Sequence, residues 1–306
     1  MRAASLAALA MLAVAALPLA ADDAPAGRIV YTRKVEDKKY LVHEMKPDGT
    51  GDRVMPGQTM SVNVLPVLSP DGKKLAYMAG MSTNFEDFKL IIQNVDGSGQ
   101  KTINGDAKMT GTPAWSPDGK HLAFVTGEDV PSLYVADAEG ENMRRLSPEG
   151  SGGAFPFWFP DSKSLGYTRI MRKGEKMDLI KVNVDGSGEE TLAPGDGILA
   201  ATAGGLSPDG KRLVVMSIAF QAMTGSFKVL DLENKGESFL DQYKAAQTSG
   251  PMDLFIGACW GPDSKQMLLA LPTDKGVGIF HIAADGQKRT RLTPEGVDCL
   301  MPFWGK

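Results

Sequence analysis

The chain has 306 residues, with 37 acidic and 33 basic side chains for a formal net charge of −4, and only two cysteines. This mild acidity, without any basic stripe, argues against a nucleic-acid partner. With 35 glycines, 19 prolines and 42% hydrophobic residues, and no helix-length periodic segment past the first twenty residues, the composition excludes a helical bundle and describes a turn-rich all-β chain.

The first residues read as targeting. Arg2 forms a short positive head, an apolar stretch runs from Leu6 to Leu17, and the small residues Ala20 and Ala21 precede Asp22 and Asp23, the pattern of a secretory signal peptide over residues 1–21. The apolar run falls short of the ~20 residues that a spanning helix needs. The expectation is export and cleavage, no membrane insertion afterwards, and a periplasmic or secreted product. Residues 22–26 are a short linker, and residues 27–306 form one domain.

That domain is built by repetition. After a first strand, "GRIVYT" (Gly27 to Thr32), and a hairpin, "PDGTGDRVM" (Pro47 to Met55), one phrase recurs: "LSPDGKKLAYM" from Leu68, "WSPDGKHLAFV" from Trp115, "WFPDSKSLGYT" from Trp158, "LSPDGKRLVVM" from Leu206 and "WGPDSKQMLLA" from Trp260. The anchors are 43 to 54 residues apart, a spacing typical of propeller blades. Ser69-Pro70-Asp71-Gly72 spells a type I turn, and the apolar run after it carries an aromatic in its third place (Tyr77, Phe124, Tyr167), as an inward-packing strand does. A second phrase follows each first one: "VDGSGQKTI" to Ile103, "AEGENMRRL" to Leu146, "VDGSGEETL" to Leu192, "LENKGESFL" to Leu240 and "ADGQKRTRL" to Leu292. Asp-Gly between apolar runs signals a hairpin. One period therefore holds two hairpins and four antiparallel strands.

The sixth copy is split. "MPFWGK" supplies the anchor Trp304 and stops, while "GRIVYT" supplies the strand that should follow, with Tyr31 in the place of Tyr77. The expected fold is all-β: a six-bladed propeller of four-stranded antiparallel blades, its ring closed by pairing of the N- and C-terminal segments so that no sheet edge is left at the seam.

The repeated phrase, with an upstream proline at Pro113, Pro156 and Pro302, resembles that of the TolB-type, WD40-like six-bladed β-propeller family, from about Gly27 to Lys306. The family's namesake has an extra α/β domain before its propeller, which the linker here leaves no room for. The resemblance implies an envelope scaffold that binds a protein, as TolB binds the peptidoglycan-associated lipoprotein. Relatives often place an Asp five residues before the anchor, lining the channel mouth. Here those places hold Asn63, Thr110, Gly153, Ala201, Phe255 and Cys299.

No catalytic constellation stands out. His43, His121 and His281 are scattered strand residues, and there is no G-x-S-x-G elbow. The repeated aspartates are turn residues, and "DGTGD" (Asp48 to Asp52) reads as a hairpin because it lacks the later glutamate of a calcium loop. Neither a cofactor nor a metal site is expected. The four tryptophans share one repeat position with Leu68 and Leu206, which favours inter-blade core over a ligand-stacking ring. Cys259 and Cys299 read as small buried apolar residues, with a bridge left open as an alternative.

Function is therefore expected where the repeats vary, on the face of the blade-to-blade connections and second-to-third-strand loops, including a long variable segment from Asp241 to Gly257. Phe85, Phe88, Phe220, Met223 and Met252 are candidate apolar anchors there, with Asp253, Asp298 and Asn63 as orienting polar groups. The favoured reading is a non-enzymatic, monomeric scaffold for a protein or peptide. The rival is a propeller enzyme acting on carbohydrate, of lyase or glycosidase type, with its site at the channel mouth.

Export carries its own test. N-terminal sequencing of extracted protein should read "ADDAP" or "DDAP", and an intact Met1 in membrane-bound material would overturn the signal-peptide reading.

Overall fold

In the computed structural model, residues 26–83, 87–103, 111–127, 131–171, 177–195, 198–219, 224–244 and 256–306 are described. The leader and most of the linker lie outside them. No helix among the described residues is long and apolar enough to cross a membrane.

The architecture is an all-β propeller with four-stranded antiparallel blades. Four sheets stand apart. They comprise β8 (Ala114–Trp115) to β11 (Arg144–Arg145) with β9 (His121–Thr126) and β10 (Ser132–Asp137) between them; β12 (Ser151–Trp158), β13 (Ser164–Met171), β14 (Met177–Asn183) and β15 (Glu190–Ala193); β16 (Ile198–Leu206), β17 (Arg212–Ala219), β18 (Thr224–Asp231) and β19 (Glu237–Lys244); and β20 (Ala258–Trp260), β21 (Gln266–Thr273), β22 (Gly276–Ala283) and β23 (Arg289–Arg291). The remaining strands share one eight-stranded sheet. In it β24 (Cys299–Gly305), β1 (Arg28–Glu36), β2 (Lys39–Met45) and β3 (Arg53–Val54) meet β4 (Val62–Leu68), β5 (Lys74–Gly80), β6 (Lys89–Asn94) and β7 (Lys101–Thr102) at a single parallel bridge, Tyr40 to Val62.

The two chain ends do pair. β1 runs antiparallel to β24, with Arg28 opposite Gly305, Ile29 opposite Trp304 and Arg33 opposite Cys299. The third-place aromatics Tyr31, Tyr77, Phe124 and Tyr167 are all fully buried, as period-two alternation requires of an inward face.

The turns close as their residues dictate. In Ser69-Pro70-Asp71-Gly72, Gly72 N–H donates to Ser69 O (2.8 Å), Ser69 Oγ donates to Asp71 Oδ1 (2.7 Å), and Gly72 takes the left-handed φ of +66°. In the two "PDSK" copies a serine holds that left-handed place, Ser162 at +56° and Ser264 at +58°. A non-glycine residue is disfavoured there, and each serine makes a compensating contact across blades. Ser162 Oγ accepts from Asp118 N–H (3.0 Å) and Ser264 Oγ from Asp209 N–H (3.1 Å).

The anchors pack between blades. Trp115, Trp158, Trp260 and Trp304 are all buried, and Trp158 Nε1 donates to Ala114 O of the preceding blade at 2.9 Å. Cys259 and Cys299 are buried and unbridged, and burial pushes both thiols up to about 12. Three innermost strands share a feature that the sequence did not announce: Leu65, Phe155 and Met301, each three residues before its anchor, adopt φ of 52° to 55° at a bulge. Bulges re-aim side chains, and all three pack in or against the main core.

The closure generates a stability prediction. Deleting residues 27–34 should destabilise the whole ring as one cooperative unit, and Trp304→Ala should cost about 3–5 kcal/mol. Thermal unfolding checks both.

Candidate functional site

On the face where β1 ends and β24 begins, a cleft of about 520 Å³ is lined by Arg33, Lys34, His43, Val54, Val297 and Asp298, among others. Its position follows from strand register. Tyr31 and Arg33 lie on one side of β1, and His43 of β2 stands opposite Tyr31. Asp52, at the end of the "DGTGD" hairpin, is brought beneath all three.

Asp52 is the hub. Its Oδ1 accepts from the Tyr31 hydroxyl (2.6 Å) and from His43 Nδ1 (2.8 Å), and its Oδ2 accepts from the Arg33 guanidinium. Burial alone pushes its carboxyl up, but the bonds from Tyr31 and His43 and the charge of Arg33 outweigh it and hold the group below its ordinary value. Burial, reinforced by Asp52, raises the Tyr31 phenol. The same burial lowers His43 despite the carboxylate beside it. A neutral His43 therefore donates Nδ1–H to Asp52, leaving Nε2 buried and without a partner. The shifts keep Tyr31 protonated and Asp52 ionised, the forms that bond each other, so the cluster fastens the first strand to its hairpin.

The cleft wall is mixed. Val35 and Val54 are two of the five large hydrophobic residues exposed among the described residues. Lys34 has no ion-pair partner among them, and its N–H donates to Asp298 O (2.9 Å). Asp298 Oδ1 accepts from Val277 N–H (2.9 Å), which ties the blade connection to its neighbour.

At the other end of the axis lies a cavity of about 350 Å³ ringed by the four tryptophans with Leu68 and Leu206. Its lining is mostly apolar, with Ser69, Ser207 and Lys306 among it.

Of the residues expected at the binding face, the structure brings Asp298 into the cleft. Asn63 is fully buried, its Nδ2 donating to Met60 O (2.7 Å) and Tyr40 O (3.2 Å), where it fastens β4 to β2. Phe88 is also fully buried, its ring against Gly80. Both serve the core. Phe85, Phe220, Met223, Met252 and Asp253 lie outside the described residues. Sequence reasoning missed the cluster of Arg33, His43 and Asp52; the only hint was that Tyr31 and Arg33 alternate on a strand opposite a histidine. The histidines do stand apart. His121 stacks on Trp158, and His281 bonds Gln266 (2.8 Å) against Trp304. Among the described residues, no three of His, Cys, Asp and Glu converge as a metal site.

Comparison with known proteins adds the following. A family model described as the TolB β-propeller domain matches residues 23–306. An uncharacterized peptidase, YuxL, of Bacillus subtilis is 31% identical over 119 residues, 37% of this chain and 18% of that protein. Dipeptidyl-peptidase 5 of Porphyromonas gingivalis is 34% identical over 142 residues, 44% of this chain and 21% of that protein. The chain thus spans about a fifth of the length of these curated relatives. Among solved structures, TolB from Acinetobacter baumannii superposes with a TM-score of 0.71 at 20% identity, over 91% of this chain and 66% of that one. An oligogalacturonate lyase in complex with manganese superposes with 0.55 at 15% identity, over 83% of this chain and 73% of that one. At these identities the structural likeness speaks for the fold.

The buried histidines give a pH prediction. Burial lowers both His43 and His281 from 6.5, so the unfolded chain binds more protons and stability rises with pH until it is complete above 6.5. Below 6.5 that stability is lost as pH falls through the folded values. Asp52 and Tyr31 bond or face His43, and since Asp52 is held below its ordinary value and Tyr31 above its own, neither titrates between about pH 5 and 7. His43→Gln should shrink the gain in melting temperature between about pH 5 and 7.5, and His281→Gln should shrink it as well. Calorimetry at the two pH values measures it.

Proposed function

The chain belongs to the TolB β-propeller domain family, and on that premise we propose that it is an exported, non-enzymatic binding scaffold that holds a protein or peptide of the cell envelope on its loop face. In this reading the eight-stranded sheet is two blades touching at one bridge, and the ring has six blades. The observation that carries the function is the chemistry of the cleft. Val35 and Val54 are exposed beside Lys34, which has no ion-pair partner among the described residues, over the hydrogen-bonded hub of Tyr31, Arg33, His43 and Asp52. An apolar wall with one orienting charge suits a peptide contact. Phe85, Phe220, Met223, Met252, Asp253 and Asp298 extend the proposed surface.

A propeller enzyme acting on carbohydrate is the second reading, favoured by the likeness to the lyase solved with manganese. The matched peptidases support a hydrolytic reading less, because only a fifth of each is shared.

Affinity capture from envelope extract separates the two. Val54→Glu, Lys34→Glu and the pair Phe220→Asp with Met223→Asp should each lower recovery of the captured protein by roughly tenfold or more. Lys120→Glu and Lys211→Glu, on the turn face, should leave it unchanged. Loss confined to the lysine variants of the turn face would assign the wrong face, and a stoichiometric metal in the purified protein would favour the enzyme.

A further inference from the structure

Among the described residues, five of the six outermost strands are short: β3, β7 and β11 have two residues each, β23 has three and β15 has four. Short outer strands protect a propeller from pairing with other chains. β19 breaks this rule with eight residues, Glu237–Lys244. The variable segment expected to begin at Asp241 is strand as far as Lys244. Phe239, its third residue, is 62% exposed.

The register shows which main-chain groups face outward. Asp231 N–H donates to Gly236 O (2.8 Å), and the pairs Leu230 with Glu237, Val229 with Ser238 and Lys228 with Phe239 continue that register without interruption. Antiparallel pairs alternate between bonded and non-bonded. Asp231 with Gly236 is a bonded pair, so Glu237 and Phe239 fall in non-bonded pairs and turn their N–H and C=O groups away from β18. The other side of β18 agrees. Leu232 N–H donates to Lys211 O (2.8 Å), which by the same alternation points Lys228 and Leu230 towards β17. Glu237, Ser238 and Phe239 are all exposed. After Phe239 a bulge turns Leu240 towards the neighbouring blade, where it meets Gly286.

We propose that the edge of β19 from Glu237 to Phe239 is a strand-addition site for an extended, uncharged peptide segment of another protein, with a β-branched or aromatic side chain beside Phe239. Two outward-facing residues offer two donors and two acceptors in strand register. Charge selects the occupant, because the edge's acids are already matched: Glu237 by Lys228 (3.0 Å) and Asp241 by Arg289. Size selects it as well. One short strand pairing falls below the roughly 1,000 Å² that a specific interface between folded partners buries, so a flexible segment suits this edge better than a second copy. The site is separate from the loop-face cleft.

The probe is an acetylated, amidated, fluorophore-labelled octapeptide of alternating threonine and valine, followed by anisotropy. The wild-type protein should bind it saturably. The same peptide N-methylated at every residue should bind at least about tenfold more weakly, because neither edge of its backbone can then donate to β19. Glu237→Pro removes one outward donor without touching a main-chain bond to β18, since proline is tolerated on edges, and the exposed side-chain pair with Lys228 that it also removes contributes little to stability. It should weaken binding to a similar degree while the melting temperature stays unchanged. Val54→Glu in the cleft should bind the peptide normally. Absence of saturable binding, or equal affinity for the N-methylated peptide, overturns the proposal. Wild-type dimerisation that Glu237→Pro abolishes would make the occupant a second copy and overturn it too.

Discussion

Pairing of β1 with β24 is the contact on which everything else depends. It joins residues some 270 positions apart, Ile29 to Trp304 and Arg33 to Cys299, and converts a row of blades into a closed structure. A linear repeat array holds each unit only by its neighbours and frays from its ends. Here the ends are one sheet. Trp304 Nε1 adds a side-chain fastening by donating to Ala26 O (3.2 Å), so the last anchor binds the first described residue of the chain.

Between blades, the work is divided between apolar packing and a few directed bonds. The tryptophan anchors bury large surfaces, worth on the order of several kcal/mol each. The turns add specificity, since Ser162 and Ser264 each reach the turn of the preceding blade. A serine in a left-handed turn position costs backbone energy on the order of 1 kcal/mol, and a hydrogen bond of that size offsets it. Arg212 makes a further cross-blade link, its guanidinium lying over the Trp260 ring (4.4 Å) and donating to Ser264 O.

The cleft is a product of closure. Arg33, Lys34 and Val35 come from the first strand, and Val297 and Asp298 from the last connection. Asp52 locks the first strand to its hairpin through Tyr31, Arg33 and His43. The seam of the ring and the candidate binding surface are therefore one object, and a partner seated there would report on closure. The long edge of β19 sits elsewhere, on an outer rim that the other blades keep short.

The sequence by itself determined the all-β class, the four-strand period, the turn chemistry and the splitting of one unit between the chain ends. These follow from type I turn residues, Asp-Gly hairpins and period-two strands, each legible within about ten residues, and from their recurrence every 43 to 54 residues. The tertiary structure alone decided the rest. Asn63 and Phe88 look like surface candidates in the sequence, yet backbone carbonyls and Gly80 enclose them. Arg33, His43 and Asp52 look unrelated until register stacks them on one face. The bulges at Leu65, Phe155 and Met301 carry no glycine to announce them, and the length of β19 passes for a loop until β18 is seen beside it. In each case the deciding contact is made by residues distant in sequence, and local residue preference carries no information about which partner the fold will supply.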